Sequence, residues 1–211
     1  MADSERTNRD ETLRSAAPGT GRSPTVPPPD AVVPERHPDA PAPGSVLPSH
    51  YDRCFGCGPA HPTGLNLTMV AGEGISVRAE FTVTPDHQGA PGLAHGGLLA
   101  AAFDEAMGAV AWLLRSPAVT GRLETDFVCP VPVGSRLLIL ARCEGVAGRK
   151  VYVAATGRLG AEDGPVAVRA HGLFVTVGLE HFRAHGRSHE VTQAEVLPSV
   201  LVAARVFDLS P

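Results

Sequence analysis

The sequence predicts an α+β domain in which a strongly curved antiparallel sheet wraps around one long central helix. Two observations lead to this prediction. Six strand-like stretches flank a single helical segment, residues 96 to 115, with two stretches before it and four after it. That segment is apolar on nearly every side, so other elements must surround it. A sheet that curves around the helix covers the helix and one face of the sheet together.

Two strands are expected before the helix, after a loop rich in glycine and proline with the sequence CFGCGPAHPTG. The stretch LNLTMV predicts the first strand. The stretch ISVRAEFTV predicts the second, because its apolar and polar residues alternate. The turn AGEG separates the two strands, and the loop TPDHQGAPGLAHGG leads to the helix.

The helix is expected to end before Ser116 and Pro117, because proline cannot continue a helix. Four strands are predicted after it, with the sequences VTGRLETDFV, SRLLILARCE, RKVYVAATGRL and VAVRAHGLFVTV. The turn-forming stretches CPVPVG, GVAG and GAEDGP separate them. Consecutive strands joined by short turns favour an antiparallel meander.

Composition divides the chain into three parts. Residues 1–50 contain no aromatic residue and half of the 20 prolines, which predicts a disordered tail. Residues 51–180 form the folded domain, and residues 181–211 form a C-terminal extension of uncertain structure. The first residues lack the apolar core of a signal peptide, and acidic residues near the start argue against an organelle presequence. A cytoplasmic location is therefore expected.

Charge and hydropathy exclude two function classes. The net charge of −4 and the absence of a dense Lys/Arg patch argue against nucleic-acid binding. Residues 97 to 114 are long enough to cross a bilayer, but Asp104 and Glu105 near the midpoint would cost several kcal/mol there. The segment is interpreted as a buried helix of a soluble protein, without a membrane span.

The four cysteines Cys54, Cys57, Cys129 and Cys143 do not indicate a disulfide scaffold in a chain of this length. The spacing from Cys54 to Cys57 is one that zinc sites use, but only His61 lies nearby as a further ligand. Because zinc takes four ligands, free thiols in a turn and no metal are predicted.

Three motifs carry a resemblance to a known family. The segment GLAHGGLLAAAFDEAMG resembles the His-Gly-Gly segment of hotdog-fold acyl-CoA thioesterases of the phenylacetate-pathway type, in which an acid follows the histidine by nine positions, as Asp104 follows His95. The stretch VTGRLETDFVCPVPVG resembles the next strand of the family, where Thr120 takes the place of a Thr or Ser of the site. The stretches CFGCGPAHPTGLNL and QGAPGLAHGG are similar to bacterial relatives of the Thioesterase superfamily member four group.

The resemblance covers residues 54 to 178 and implies hydrolysis of the thioester of an acyl-CoA or an acyl-carrier protein, without metal or other cofactor. It implies that Asp104 is the general base or nucleophile and that Thr120 orients water or the carboxylate. Glycines at a helix start leave backbone N–H groups uncrowded in the positive potential of the helix dipole, so Gly96, with its neighbour Gly97, is a plausible oxyanion site. His95 fixes the loop, contacts substrate or caps the helix.

In the family, the acid of one subunit faces the glycine end of the other subunit's helix, so a homodimer or a dimer of dimers is expected. Glu105 points about 100 degrees away from Asp104 on a helix, so the two acids need not share an environment. Gln88 lies near the place where some relatives carry an asparagine that polarises the carbonyl. The predicted substrate-binding residues are Gly97, Gln88, Glu105, Arg149 and Lys150, the last two by charge toward coenzyme A phosphates.

Two further function classes stay open. A noncatalytic acyl-CoA-binding hotdog module would use the same pocket and its tails to contact a partner, although such a module needs no buried acid. A hotdog hydratase or dehydratase also acts on acyl-CoA. Those relatives carry a histidine closely after the acid on the helix, whereas the first histidine after Asp104 is His171.

Overall fold

The computed structural model describes residues 24–187 and residue 191. Most of the predicted C-terminal extension and residues 1–23 of the predicted tail lie outside the described residues. The described strands are β1 Thr68–Ala71, β2 Ser76–Thr82, β3 Gln88–Ala90, β4 Leu93–Ala94, β5 Ala118–Phe127, β6 Arg136–Ala147, β7 Lys150–Leu159 and β8 Val166–Thr176. The helices are α1 Gly96–Gly108, α2 Ala111–Leu114 and α3 Leu179–His185, and a 3-10 turn covers Pro85–His87.

Six strands form one antiparallel sheet in the order β1-β2-β6-β7-β8-β5, and β3 and β4 form a separate hairpin. Helix α1 contacts β2, β5, β6, β7 and β8, which are five of the six strands. A sheet can touch one helix with so many strands only by curving around it. The predicted α+β class, with an antiparallel sheet around one long helix, is confirmed.

The core lies between α1 and the concave face of the sheet. Strand β2 alternates as the sequence predicts, with buried side chains at Val77, Ala79 and Phe81. The face that α1 turns to the sheet is formed by Leu99, Ala102, Phe103, Ala106 and Met107, all of them buried. Apolar burial of this kind is the main favourable contribution to folding.

The predicted single helix over residues 96 to 115 is interrupted after Gly108. Val110 N–H donates to Met107 O and Leu113 N–H to Val110 O, which are bonds of the tighter 3-10 type. The chain keeps its direction through this step, and α2 follows at once. It ends at Arg115, which adopts the left-handed conformation, just before Pro117.

By length and hydropathy, the segment Gly96–Leu114 is the one stretch among the described residues that is also able to cross a membrane. Its mean hydropathy is 1.5, and much of it is buried by the sheet. A core helix of a soluble protein has the same properties. The absence of a membrane span stays a prediction, which the packing of α1 supports.

The predicted meander is correct for β6, β7 and β8 but wrong for β5. Strand β5 pairs with β8 at the sheet edge, and β2 takes the place beside β6. The connection CPVPVG begins with extended backbone, because Pro130 and Pro132 disfavour helical backbone before them, and it ends in a turn in which Ser135 N–H donates to Pro132 O. It runs past the hairpin, where Val133 N–H donates to Gly92 O.

The hairpin β3–β4 was not predicted, since its short strands lie in a loop rich in glycine and proline and show no apolar alternation. It places the chain directly before α1. His95 N–H donates to His87 O at 2.8 Å, and Ala94 N–H donates to Val131 O at 2.9 Å. The first bond ties the start of the helix to the 3-10 turn, and the second ties it to the β5–β6 connection.

Residues 24–50 differ from the predicted disordered tail. Val32 forms a bridge with Val146, Val46 forms one with Val70, and the Leu47 side chain is buried in the core. Single apolar residues between the prolines are enough to attach this segment to the domain, because each one contacts a strand that the domain has already formed. Such contacts leave no periodic pattern that the sequence would reveal.

A glycine in β7 is required by the core. A Cβ atom at Gly157 would lie 2.6 Å from Cζ of Phe103, whose ring is fully buried and cannot retreat. We expect Gly157→Ala to lower the free energy of unfolding by about 1–3 kcal/mol, the range for overpacked cores. Urea denaturation of the variant and the wild type measures the change.

The matched control is Gly108→Ala, because a Cβ atom there would meet Cε1 of Phe174 at an ordinary 3.6 Å. This variant is expected to be neutral or to gain up to about 1 kcal/mol from helix propensity. Equal stability of the two variants would contradict the packing described for α1 against β7.

Candidate active site

The structure brings Asp104 and Thr120 together. Asp104 lies in the middle of α1, and Thr120 lies on the edge strand β5. The Thr120 hydroxyl donates a hydrogen bond of 2.7 Å to Oδ1 of Asp104. Among the described residues, Oδ2 of Asp104 has no hydrogen-bond partner. One carboxylate oxygen is thus held in place while the other remains available.

The surroundings of Asp104 make its carboxylate more basic than that of an exposed aspartate. Burial disfavours the charged form and raises the pKa of Asp104, and the hydrogen bond from Thr120 opposes this effect. The negative charges of Glu105 and of the Cys54 thiolate raise the pKa further. A raised pKa in a cleft is a frequent property of groups that accept protons in catalysis.

The first turn of α1 leaves one backbone donor free. His95 is the N-cap residue, and its Nδ1 accepts a hydrogen bond of 3.0 Å from Gly97 N–H. The backbone oxygen of His95 accepts from the N–H groups of Leu98 and Leu99. Gly96 N–H has no acceptor among the described residues, so it is the donor that a bound anion would meet.

The hydrogen bonds at the helix start give Gly96 and Gly97 different roles. Gly97 N–H, predicted to contact substrate, is already used by the His95 ring. Because Nδ1 of His95 accepts this bond, the proton of the neutral ring belongs on Nε2, by inference from the hydrogen-bond pattern. His95 is therefore a helix cap here, which is one of the roles that the sequence left open.

The space around Gly96 is open. A Cβ atom at Gly96 would have its nearest contact with Cζ of Phe127, at 3.4 Å, so packing does not demand a glycine there. The Gly96 backbone is also outside the left-handed region. The missing side chain at Gly96 is therefore not required for packing, and it leaves the N–H group accessible.

Asp104 and Gly96 of one chain do not share a site. Eight residues along a helix correspond to about 12 Å. A reacting carbonyl group held by Gly96 N–H would therefore lie too far from the carboxylate of the same chain. The two groups can meet only if a second subunit supplies one of them.

Gln88 closes the hairpin before the helix. Its side-chain Oε1 accepts a hydrogen bond of 2.9 Å from Gly92 N–H across the β3–β4 turn. The amide oxygen is thus engaged, and the amide NH₂ group is the part of Gln88 that is able to donate to a substrate. Its predicted substrate contact stays a prediction.

Glu105 faces a different neighbourhood from Asp104. Cys54 Sγ lies 3.2 Å from its Oε2, and Nδ1 of His50 lies 3.5 Å from its Oε1. Both oxygens of Glu105 are engaged, and only 13% of its side chain is exposed. The structure therefore places Glu105 in a cluster with His50, Cys54 and Cys57, which we call the His50 cluster, and not in the predicted substrate contact.

The sequence did not predict that His50 belongs to this cluster. The histidine that it considered, His61, packs edge-on against Phe55 and accepts a hydrogen bond from Thr63 N–H. The only sequence signal for His50 was its position four residues before Cys54. The sequence marks Glu105 as unusual because it is a charged residue in an apolar helix, but this does not indicate which residues it contacts.

Arg149 and Lys150 lie at the turn between β6 and β7. Arg149 O accepts from Thr176 N–H of β8, and both residues border a surface depression that Pro28 and Tyr152 also line. The described contacts of Arg149 connect this turn to β8 and not to α1. The predicted contact with coenzyme A phosphates stays a prediction.

Comparison with known proteins shows which family part of the chain matches. Residues 91–163 match the model of the Thioesterase superfamily. The chain is also similar to the acyl-coenzyme A thioesterase THEM4 of Xenopus laevis, with 33% identity over 95 residues, which are 45% of this chain and 42% of that protein. The chain thus spans less than half the length of this curated relative.

Solved structures show the same fold. The crystal structure of a thioesterase superfamily protein matches with a TM-score of 0.55 and 24% identity, over 83% of this chain and 79% of the other. The E. coli PaaI protein from the phenylacetic acid degradation operon matches with a TM-score of 0.51 and 18% identity, over 56% of this chain and 85% of the other. The chain has the hotdog fold of these structures, and residues 91–163 match the Thioesterase superfamily, in agreement with the resemblance stated from the sequence.

The bond from Thr120 to Asp104 gives a prediction that needs no substrate. The hydroxyl stabilises the ionised carboxylate and so lowers the pKa of Asp104. Removing the hydroxyl in Thr120→Val removes this effect, and we expect the pKa of Asp104 to rise further. Carboxyl-carbon NMR titration of the wild type and the variant measures the shift.

Thr120→Ser is the control, because it keeps a hydroxyl at the same position and is expected to retain the wild-type pKa. An unchanged pKa in Thr120→Val would show that the hydrogen bond does not control the ionisation of Asp104.

Proposed function

We propose that this protein is an acyl-CoA thioesterase, which hydrolyses the thioester of an acyl-CoA or an acyl-carrier protein to a free acid and a thiol. The observation that carries the proposal is the half-buried Asp104 carboxylate, with one oxygen fixed by Thr120 and the other free. The Thioesterase superfamily match and the name of the THEM4 relative support the same reaction.

The site is proposed to form between two subunits. Asp104 and Gly96 are too far apart in one chain, but the edge strand β5 lies beside both of them. Phe127 of this strand is 53% exposed and borders Gly96, and the neighbouring Val128 is 48% exposed. Exposed apolar side chains on an edge strand are typical of a surface that pairs with another subunit. A homodimer, or a dimer of dimers, would bring the partner subunit's Gly96 opposite Asp104.

The chemistry follows from these positions. Asp104 acts as a general base, taking a proton from a water molecule that attacks the thioester carbon, or attacks that carbon directly as a nucleophile. The carbonyl oxygen becomes negatively charged and accepts a hydrogen bond from Gly96 N–H, at the positive end of α1. When the carbon–sulfur bond breaks, the thiolate leaves and takes up a proton. In the nucleophilic route, water then hydrolyses the acyl anhydride on Asp104.

Other residues position these groups. Thr120 orients the Asp104 carboxylate. His95 keeps Gly97 N–H occupied and so holds the helix start in a fixed shape around the free N–H of Gly96. The Gln88 amide is proposed to donate to the substrate carbonyl, and Arg149 and Lys150 are proposed to contact phosphates of coenzyme A. A cytoplasmic location is part of the same proposal.

Replacing the acid tests the reaction. We expect Asp104→Asn to lower kcat by about 10²–10⁴-fold, the contribution of a positioned general base. Asparagine keeps the shape of the side chain and an oxygen that accepts the Thr120 hydrogen bond. Thiol release from a panel of short, long and aromatic acyl-CoAs, by the variant and the wild type side by side, measures the effect.

The melting temperature of Asp104→Asn distinguishes a loss of catalysis from a loss of folding. The raised pKa means that burial disfavours the Asp104 carboxylate, so at neutral pH the neutral asparagine is expected to unfold at the same temperature as the wild type or higher. The control Asp163→Asn, on the exposed β7–β8 turn, is expected to be fully active. Full activity of Asp104→Asn would refute the assignment. A wild type that is inert toward the panel but stabilised by acyl-CoAs would indicate a binding module instead.

The free N–H of Gly96 gives a second test. In Gly96→Ala, the new methyl group fits beside Phe127 but projects into the space where the substrate oxygen would approach. We expect kcat/KM to fall by about 10²-fold, the cost of an ångström-scale misplacement of the reacting group. The melting temperature is expected to stay near that of the wild type. A loss of activity that is matched by a loss of folded dimer would assign Gly96 a structural role.

A further inference from the structure

The His50 cluster gathers four side chains with metal-binding atoms from separate parts of the chain. His50 lies before the loop, Cys54 and Cys57 lie within it, and Glu105 comes from the middle of α1. One ligand atom of each residue lies within 4.8 Å of all the others. Glu105 is separated from Cys54 by 51 positions, so the fold and not local sequence assembles the cluster.

Three distances between these side chains are close to those of tetrahedral coordination. Metal–sulfur bonds of about 2.3 Å and metal–nitrogen or metal–oxygen bonds of about 2.0–2.2 Å require neighbouring ligands to lie about 3.3–3.8 Å apart. Cys57 Sγ lies 3.3 Å from Nδ1 of His50, and Nδ1 lies 3.5 Å from Oε1 of Glu105. Cys54 Sγ lies 3.2 Å from Oε2 of Glu105. The four ligand atoms lie within 4.8 Å of one another, so the side chains would have to move inward by at most about an ångström to share one ion.

The backbone of the loop is shaped around Cys54. Gly56 N–H donates to Cys54 Sγ at 3.3 Å, and Gly58 N–H donates to Cys54 O at 2.9 Å. A Cβ atom at Gly56 would clash with the carboxylate of Glu105, and one at Gly58 would clash with the backbone of Cys54. A backbone N–H that donates to sulfur stabilises a thiolate, and thiolates are the form of cysteine that binds metal.

We propose that His50, Cys54, Cys57 and Glu105 bind one zinc ion, which ties the loop before β1 to helix α1. Two thiolates, an imidazole and a carboxylate are a ligand set that suits zinc, and softer or harder sets would favour other metals. Four protein ligands close the coordination sphere and leave no position for substrate. The site is therefore structural rather than catalytic.

The second neighbours of the cluster fit this assignment. Ser49 Oγ lies 3.3 Å from Cys57 Sγ, and its hydroxyl is able to donate either to this sulfur or to Tyr51 O. A disulfide between Cys54 and Cys57 is the chemical alternative. It would leave the nearly buried Glu105 carboxylate with His50 as its partner in the cluster, whereas a zinc ion binds all four groups. Zinc accounts for the convergence of His50 and Glu105, and a disulfide does not.

The zinc content of the full-length protein tests the proposal. The protein is produced with an affinity tag that lacks histidine, purified without chelator under reducing conditions, and analysed by inductively coupled plasma mass spectrometry. We expect one zinc ion per chain. Cys57→Ser and Glu105→Gln are expected to lose most of it. The matched controls Cys129→Ser and His61→Asn are expected to keep it, because these residues lie outside the cluster.

The histidines of α3 need their own control. The His181 and His185 rings lie 4.8 Å apart and are able to bind metal weakly by themselves. The double variant His181→Ala, His185→Ala is expected to keep its zinc. Loss of zinc in this variant, or its retention in Cys57→Ser, would overturn the proposal.

A second measurement covers variants that fail to fold. Cobalt replaces zinc in the wild-type protein, and its absorption reports tetrahedral geometry and thiolate ligation directly. X-ray absorption of the zinc protein is expected to show two sulfur ligands and two nitrogen or oxygen ligands. A wild type that binds neither metal under reducing conditions, or whose cysteines prove to be a disulfide by mass spectrometry of the freshly purified protein, would refute the site.

Discussion

The curved sheet surrounds α1 and so determines which surroundings each polar side chain of this helix has. Five strands contact the helix, so its apolar face is fully used by the core. Asp104 and Glu105 occur together in the most apolar stretch of the chain. Burying a charge is costly unless it is paired or hydrogen-bonded. Each of the two acids therefore needs partners from outside the helix, and the fold supplies a different set for each.

The helix start shows how a small number of hydrogen bonds can define a reactive position. A helix leaves its first N–H groups without internal partners. In α1, the His95 ring nitrogen accepts from Gly97 N–H, the His95 backbone oxygen accepts from Leu98 N–H, and the N–H of His95 itself donates to His87 O. Only Gly96 N–H remains. The same cap that stabilises the helix thus selects the single donor that faces the surface, and Gly96 leaves that surface uncovered.

Much of this architecture could be predicted from the sequence, because alternation in β2 and the apolar run of α1 are local patterns. The choice of Asp104 and Thr120 as site residues followed from the family resemblance. What the sequence could not give was long-range pairing: the place of β5 beside β8, the bridge from Val32 to Val146, and the choice of His50 over His61. These depend on how distant segments meet in space, and neither periodicity nor proximity along the chain records that.

The two acids of α1 differ in a way that supports the proposed role of Asp104. Glu105 has a partner on each carboxylate oxygen, Cys54 on one and His50 on the other, and its side chain is nearly buried. Asp104 has one oxygen fixed by Thr120, while the other has no partner among the described residues. A carboxylate whose oxygens are both engaged is suited to hold structure, as a metal ligand does. A carboxylate that is oriented by one bond and open on its other side is suited to accept a proton or attack a carbon. Adjacent residues on one helix point about 100 degrees apart, so a single turn of α1 serves both purposes without conflict.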